Sequence, residues 1–168
     1  LFILLTLTLP VPIRIVPLFE IMVDLNWNDT MLALVMPYFA SATSVLLLRQ
    51  HFESISESIV ETAKLDGIGP IKFLVYVLIP MSKSMLIGLY VIAFIWSWNQ
   101  YLWPLVAIQS QENQVIQVGL KQLQGAQAAG ETLWGLIMAG TILALLPPLI
   151  ILILANRPLL ETFNVQTK

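Results

Sequence analysis

Three long uncharged stretches constrain the fold of this chain more than any other feature of its sequence. They cover positions 30–48, 84–111 and 132–156 of the 168 residues. A helix of about 20 mainly apolar residues crosses the roughly 30 Å hydrocarbon layer of a bilayer, so each stretch can hold one span. Only 11% of the residues are charged, against about 25% in soluble domains. The sequence therefore predicts an all-α integral membrane protein and excludes a soluble domain, a disordered chain and a basic-patch nucleic-acid binder.

A fourth apolar stretch opens the sequence and is interrupted by Arg14, by Glu20 and by three prolines, which predicts a kinked span. The predicted layout is a kinked span at 1–24, a span at 30–49, a connection at 53–80, a span at 84–106, a loop at 107–132, a span at 133–155 and a tail at 156–168. The sequence begins without Met and without the basic residues of a signal peptide. We therefore expect it to be part of a longer membrane protein.

The distribution of basic residues predicts the orientation of these spans. Six of the eight basic residues belong to the connection, its flanks and the tail, namely Arg49, Lys64, Lys72, Lys83, Arg157 and Lys168. Trp27, Trp103 and Trp134 fall at the opposite ends of the spans, where an aromatic belt would lie. By the positive-inside rule the connection and the tail are cytoplasmic. The Gln-rich loop at 107–132 is then external, either a solvated loop, which we favour, or a short helix that contacts a partner.

The cytoplasmic connection carries its own helix signals. Ser54 and Glu57 fit a capping box at the start of a helix, Gly67 is placed to end it, and Pro70 suits the first turn of a second helix. The connection is therefore predicted to be a helix–turn–helix. Its acidic residues form either a solvated face or a docking surface for basic groups on another protein.

The connection resembles the EAA loop of the permeases of ABC importers. That family pattern is E-A-A, three residues, G, nine residues, I, one residue and L-P. The matching positions, with the same spacing throughout, are Glu61, Thr62, Ala63, Gly67, Val77, Ile79 and Pro80. Thr62, Val77 and Ile79 replace Ala, Ile and Leu with residues of similar size. Residues 47–50, 66–67 and 94–104 extend the resemblance to the carbohydrate-uptake type, and most of all to permeases for sn-glycerol 3-phosphate.

The resemblance implies a polytopic helical transmembrane domain with a cytoplasmic coupling loop, in the bacterial inner membrane. It implies import of sn-glycerol 3-phosphate, or of a related sugar or polyol, driven by ATP. The implied partners are a second permease subunit, two ATP-binding subunits that hold ATP and Mg, and an external solute-binding protein. The implied coupling residues are Glu61, Thr62, Ala63, Asp66, Gly67, Val77, Ile79 and Pro80.

The residues themselves predict neither an enzyme nor a metal site. The sequence lacks a phosphate-binding G-x-x-x-x-G-K-[ST] loop and cysteine, and it has one histidine. We therefore expect no catalytic residue and no cofactor in this chain, with ATP chemistry on separate subunits.

Polar groups at membrane depth are the candidates for the solute path, because they are costly in hydrocarbon unless paired. Asn99 and Gln100 either line the path, lie close to the outer interface, or bridge helices. Arg14 attracts a phosphate, pairs with Glu20, or extends its guanidinium to the lipid headgroups.

Three other functions stay open at this stage. The first is a permease for a neutral sugar or an oligosaccharide. The second is an ion-coupled secondary transporter, which would often carry ionisable groups near the bilayer midplane; the last three predicted spans carry none. The third is an inactive truncated fragment.

Overall fold

The computed structural model describes residues 10–125 and 134–164, and within them the chain is helical with no strand. The helices are α1 Val11–Asp24, α2 Met31–Val35, α3 Ala42–Glu53, α4 Glu57–Leu65, α5 Pro70–Phe73, α6 Ile79–Met81, α7 Lys83–Trp98, α8 Leu102–Ala107, α9 Ile116–Gly125 and α10 Trp134–Asn164. Short 3-10 turns lie at Met36–Tyr38 and Gln111–Asn113, and a π-helical turn at Leu74–Leu78 joins α5 to α6. The start of the predicted first span, at 1–9, lies outside the described residues, as do residues 165–168 of the predicted tail.

Two described segments are long and apolar enough to cross a membrane by themselves. They are Met31–Glu53 and Trp134–Asn156, with mean hydropathies of 1.9 and 2.6. A third candidate is the pair Pro70–Met81 and Lys83–Trp98, which meet at an angle of 77°. The first segment contains α2, a 3-10 turn with Pro37, and α3, so it is a broken helix rather than a continuous one.

Where the sequence predicts one span at 84–106, the structure has α7, an irregular segment at 99–101, and α8. Two residues account for the break. The side-chain Nδ2 of Asn99 donates to the carbonyl of Ile95 at 2.8 Å, and Asn99 also bonds that carbonyl through its own N–H at 3.1 Å. Pro104 has no N–H to donate to the carbonyl of Gln100, so a continuous helix would leave that carbonyl unpaired.

The helices pack in two groups. The most extensive contact joins α7 to α10, and α3 and α9 contact this pair. The side chain of Trp98 donates from Nε1 to the carbonyl of Ala144 at 3.0 Å across it. The second group, α1, α2 and α8, surrounds a core of Met22, Ala33, Trp103 and Ala107. We call these three helices the outer unit, after the side of the membrane that the basic residues predict for it.

Trp103 is not part of an exposed aromatic belt, and that interpretation was wrong. Its side chain is 1% exposed, and its Nε1 donates to the carbonyl of Ala33 at 2.9 Å. Trp134, by contrast, is 61% exposed. The indole of Trp103 is held inside the outer unit because it supplies both apolar volume and the donor that a backbone carbonyl at the broken span requires.

The predicted capping box at Ser54 and Glu57 was also wrong. Helix α3 runs through Glu53, and the hydroxyl of Ser54 donates to the carbonyl of His51 at 2.7 Å at the end of that helix. The residue before α4 is Ser56, and no side chain caps that helix. Ser54 therefore serves the preceding helix and not the following one.

The predicted solvated loop at 107–132 contains α9, which packs on α10. Val118 of α9 is 1% exposed. A Cβ added to Gly140 of α10 would lie 2.7 Å from Cδ2 of Leu120, so the glycine permits this close approach. Residues 126–132 of the predicted loop lie outside the described residues.

Candidate coupling loop and solute path

The turn at Gly67 ends α4 through a Schellman motif. Gly67 has φ of +69°, its N–H donates to the carbonyl of Lys64 at 3.1 Å, and the N–H of Ile68 donates to that of Ala63 at 2.9 Å. Gly67 thus occupies the left-handed position after the helix, as predicted. No atom lies within 4 Å of a Cβ built there, so the backbone conformation, and not space, favours glycine.

Two large apolar side chains flank this turn in open solvent. Leu65, the last residue of α4, is 88% exposed, and Ile71, in the first turn of α5, is 78% exposed. Pro70 begins α5 in its first turn, as predicted. The turn therefore presents apolar surface on both sides of a tight backbone reversal.

The E-T-A triplet of α4 has one buried and two exposed members. Ala63 is 7% exposed, whereas Glu61 and Thr62 lie on the surface. The hydroxyl of Thr62 donates to the carbonyl of Ser58 at 2.8 Å, so the polar atom that departs from the family pattern is paired within its own helix.

The acidic side chains of this connection are available to a partner. Glu57, Glu61 and Asp66 are exposed, and the single ion pair found in the described part of the chain joins Arg49 to Glu53 at 2.8 Å. A surface cluster of unpaired carboxylates next to exposed apolar groups is a surface that suits a basic partner.

Val77, Ile79 and Pro80 lie in the arm that connects the turn to α7. Val77 is in the π-helical turn, and Ile79 and Pro80 are in α6. Pro80 lacks the N–H that would bond the carbonyl of Tyr76, and a wider π turn accommodates a proline ring at such a position. The arm, residues 70–81, is thus one helical segment that leaves α7 at 77°.

Ser82 occupies the bend between the arm and α7. Its side chain is 1% exposed, and its Oγ has no hydrogen-bond partner. Its N–H is shared between the carbonyls of Leu78 at 3.0 Å and Ile79 at 3.2 Å. A buried hydroxyl without a partner is uncommon in folded proteins. The bend therefore holds a polar group whose burial costs free energy.

The three predicted path residues are not brought together by a direct contact. Asn99 is exposed and Gln100 half-buried, both in the irregular segment after α7. Arg14 is exposed on α1 and makes no ion pair with Glu20 within the described structure. The two lie six residues apart, a spacing that places them on different faces of a helix.

Asp29, which the sequence did not single out, holds two distant segments of the chain together. Its Oδ1 accepts from the N–H groups of Gln109 and Ser110, at 3.0 Å each, and from the Ser110 hydroxyl at 2.9 Å. Its own N–H donates to the carbonyl of Ala107 at 3.0 Å. The bond from the Ser110 N–H, followed by that from its hydroxyl, lowers the pKa of the Asp29 carboxyl from its usual value. One property of the sequence is compatible with this role. Asp tolerates left-handed backbone better than most residues, and position 29 adopts it, with φ of +57°.

No cluster of three His, Asp or Glu side chains suited to a metal ion occurs in residues 10–125 and 134–164.

The chain is similar to a family of membrane transport components and to permease proteins. The family model for the binding-protein-dependent transport system inner membrane component matches residues 1–159. The sn-glycerol-3-phosphate transport system permease proteins UgpE of Brucella melitensis and Agrobacterium fabrum are each 40% identical over 152 residues. The UgpE of Pectobacterium atrosepticum is 39% identical over 153 residues. These matches cover 90–91% of this chain. The chain spans about half, 54%, of the length of these curated relatives.

Proposed function

Because the chain belongs to the family of binding-protein-dependent transport system inner membrane components, we propose that it forms the membrane-spanning permease part of an ATP-driven importer. The solute is sn-glycerol 3-phosphate or a related sugar or polyol, in line with the names of its relatives. The partners are a second permease subunit, an external solute-binding protein and two ATP-binding subunits. The ATP and Mg belong to those ATP-binding subunits, and this chain carries out no catalysis itself.

The observation that carries the proposal is the exposed apolar pair at the Gly67 turn. Leu65 and Ile71 are 88% and 78% exposed on either side of that turn. Burying a Leu or Ile side chain is worth about 1.5–3 kcal/mol each. A partner surface that covers both side chains gains that energy, and the neighbouring carboxylates of Glu61 and Asp66 then favour basic groups at its rim. The partner that fits is an ATP-binding subunit.

The eight coupling residues have two proposed roles, which are to shape the turn and to contact the partner. Gly67 makes the reversal of the chain, Ala63 and Thr62 lie in the helix before it, and Glu61 and Asp66 provide the polar contacts. Val77, Ile79 and Pro80 lie in the arm, which is one helical segment down to Ser82. Movement of the turn by a closing ATP-binding subunit is then passed through the arm to α7, and through the α7–α10 contact to the spans.

The solute path runs past the polar groups at membrane depth. Asn99 and Gln100 interrupt the span that begins with α7, and Arg14 is a cation within α1. Such groups are tolerated at depth where they face protein or a water-filled cavity. The proposed sides follow from the basic residues, with the arm in the cytoplasm and the turn that contains Asp29 outside.

Site-directed crosslinking tests the coupling role. In the full-length permease, assembled with its partners, Leu65→Cys and Ile71→Cys carrying a short photoactivatable crosslinker should link to an ATP-binding subunit. Trp134→Cys is the matched control, because Trp134 is also exposed, at 61%, but begins α10 at the opposite end of the spans. Links from Trp134→Cys, or none from the two turn positions, would contradict the proposal.

A second measurement tests the solute. In the importer reconstituted in vesicles, the binding protein loaded with sn-glycerol 3-phosphate should stimulate ATP hydrolysis, and the same protein mixed with a neutral sugar should not. Stimulation by the neutral sugar alone would leave the importer assignment standing and overturn the assignment of the solute.

A further inference from the structure

The breaks in two spans lie side by side. One break runs from the 3-10 turn at Met36–Tyr38 to the start of α3, and the other is the irregular segment between α7 and α8. The rings of Tyr38 and Trp96 meet edge to face across them, with centroids 5.0 Å apart. Trp96 lies three residues before Asn99, in the last turn of α7. The aromatic pair therefore places the two breaks at one level of the molecule.

Paired breaks at membrane depth need an explanation, since irregular backbone does not face lipid. Its polar groups require partners, so it occurs where protein surrounds it or where it lines a water-filled cavity. Along α7, Trp96 lies about 20 Å from Lys83. Lys83 is at the proposed cytoplasmic end of the span, so Trp96 lies in its outer half. Discontinuous helices of this kind form the solute sites of other transporters.

The side chains at the breaks have the chemistry of a polyol site. Trp96 is 49% exposed, and ring faces of this size stack on the C–H surfaces of sugars and polyols. Asn99 is exposed, and because its Nδ2 is bound to the carbonyl of Ile95, its carboxamide oxygen remains an acceptor for hydroxyl donors. Tyr38 adds a phenol beside the indole.

A cation, Arg14, belongs to the helix group against which Tyr38 packs. Ile15, the neighbour of Arg14 on α1, and Tyr38 both pack against the core of the outer unit. Arg14 is exposed and has no ion pair in the described part of the chain. It lies ten residues before Asp24 on α1, or about 15 Å below the outer end of that helix. A guanidinium binds a phosphate through two parallel hydrogen bonds, which neutral side chains do not offer.

We propose that the paired breaks form a solute-contact site for a phosphorylated polyol. Trp96, Tyr38 and Asn99 receive the hydroxyl-bearing carbon chain, and Arg14 receives the phosphate. The inference rests on the proposed import function, and it adds the place in this chain where the solute is held and the class of groups that hold it.

Accessibility of introduced thiols tests the site. The 168 residues contain no cysteine, so a single introduced thiol is the only one in this stretch. In the full-length importer, Trp96→Cys and Asn99→Cys should react with a small membrane-impermeant methanethiosulfonate. sn-Glycerol 3-phosphate delivered by the binding protein should slow both reactions about tenfold, the slowing expected when about nine-tenths of the sites are occupied. Asn99→Cys replaces an exposed side chain by one of similar size, so it serves if Trp96→Cys does not assemble.

Ile153→Cys is the control for lipid exposure, because Ile153 is 73% exposed on α10. It should stay unreactive. If the two break positions are equally unreactive, the breaks face lipid or protein and the proposal is overturned. If they react but the solute gives no protection, the cavity is wet but is not the solute site, and the proposal is again overturned.

Uptake measurements separate the aromatic and cationic parts of the site. Trp96→Ala should lower sn-glycerol 3-phosphate uptake about tenfold, the loss expected for one stacked ring. Tyr90→Ala, an exposed aromatic of α7 away from the breaks, should keep it. Arg14→Gln should lower uptake about ten- to a hundredfold, as for a lost bond to a charged group, and Arg14→Lys should restore part of it. Unchanged uptake in Trp96→Ala and Arg14→Gln would overturn the proposal.

The outcomes distinguish this inference from the proposed function. Variants at the breaks should still crosslink from Leu65→Cys to an ATP-binding subunit, because they leave the Gly67 turn intact. If that crosslink fails in the unaltered importer, the proposed function fails. If the crosslink forms and the break variants import normally, only the solute-contact site fails.

Discussion

At the scale of single residues, the positive φ of Gly67 restricts which residues the turn after α4 can accept. Any L-residue with a side chain pays about 1–2 kcal/mol in this left-handed conformation, and a β-branched one pays more. Gly69, two positions later, has an ordinary φ of −68°. Neither glycine has an atom within 4 Å of a Cβ built on it. The two positions therefore differ in backbone conformation and not in available space.

Gly67→Val should lower solute uptake by the full-length importer about tenfold or more, because a penalty of this size depopulates the turn by about that factor. The amount of assembled permease should stay unchanged, since the turn lies outside the packed core. Gly69→Val is the matched control and should keep uptake. Equal losses in both variants would show that the bulk of the side chain, and not the left-handed backbone, disturbs the turn.

Asp29 makes the stability of its contact with Gln109 and Ser110 dependent on pH. Hydrogen bonds from Ser110 and Gln109 lower the pKa of its carboxyl in the folded state. Its stabilising contribution is therefore fully present above the unfolded value, near 3.9, and is lost as the pH falls through the lower folded value. Between pH 5 and pH 3, the melting temperature of the wild type should fall more steeply than that of Asp29→Asn, measured by tryptophan fluorescence in detergent. Parallel curves would mean that the carboxylate does not contribute.

At the scale of elements, the arm and α7 meet at a bend that leaves one buried hydroxyl unpaired. An unsatisfied buried polar group costs about 1–3 kcal/mol. Ser82→Ala should therefore raise the free energy of unfolding by up to about 1 kcal/mol, rather than lower it as most core substitutions do. Unfolding of the detergent-solubilised permease by a denaturant measures this difference.

The matched variant is Ser41→Ala. Ser41 caps α3, accepting from the N–H of Ser44 at 3.3 Å, so its removal should destabilise by about 1 kcal/mol. The two serine-to-alanine changes should thus have opposite signs. A loss of stability in Ser82→Ala similar to that in Ser41→Ala would indicate that the buried hydroxyl does have a partner.

The elements that were predictable from sequence are those fixed by local chemistry. Gly67 and Pro70 mark the end of α4 and the start of α5 because left-handed backbone and a missing N–H are properties of single residues. The family model, together with the helical structure, confirms the all-α integral membrane class. From Trp134 onward, the apolar stretch predicted at 133–155 lies within α10 for the same reason, since its hydropathy is a local property.

What the sequence did not predict depends on contacts between distant residues. The Asp29 bonds reach residues 80 and 81 positions away, and the Trp103 bond to Ala33 crosses 70. Trp103 in the sequence suggests an interfacial side chain, and only the tertiary structure shows that a carbonyl of α2 requires its donor. The break in the span at 84–106 was missed because an uncharged stretch shows length but not whether the helix is continuous.

At the scale of the whole molecule, the outer unit and the α7–α10 pair are joined only loosely in the described structure. Helices α1, α2 and α8 share one buried core, and three chain connections lead from them to the rest: the breaks after α2 and after α7, and the segment between α8 and α9. Groups that share few packed contacts open with separate free energies, so the outer unit should be a cooperative unit of its own.

Trp103→Phe tests this organisation. The change removes the Nε1 donor, leaves the Ala33 carbonyl unpaired and opens a small cavity, so it should destabilise the outer unit by about 1–3 kcal/mol. Hydrogen exchange measured peptide by peptide should then show faster exchange in α2 and α8, with protection of α7 and α10 unchanged. Trp134→Phe, at a side chain that is 61% exposed, should alter neither group. The indole of Trp103 is buried in the outer unit alone, so its loss should affect the protection of that unit alone. Equal loss of protection in all four helices would mean that the chain opens as a single cooperative unit, and that the breaks do not divide it into two.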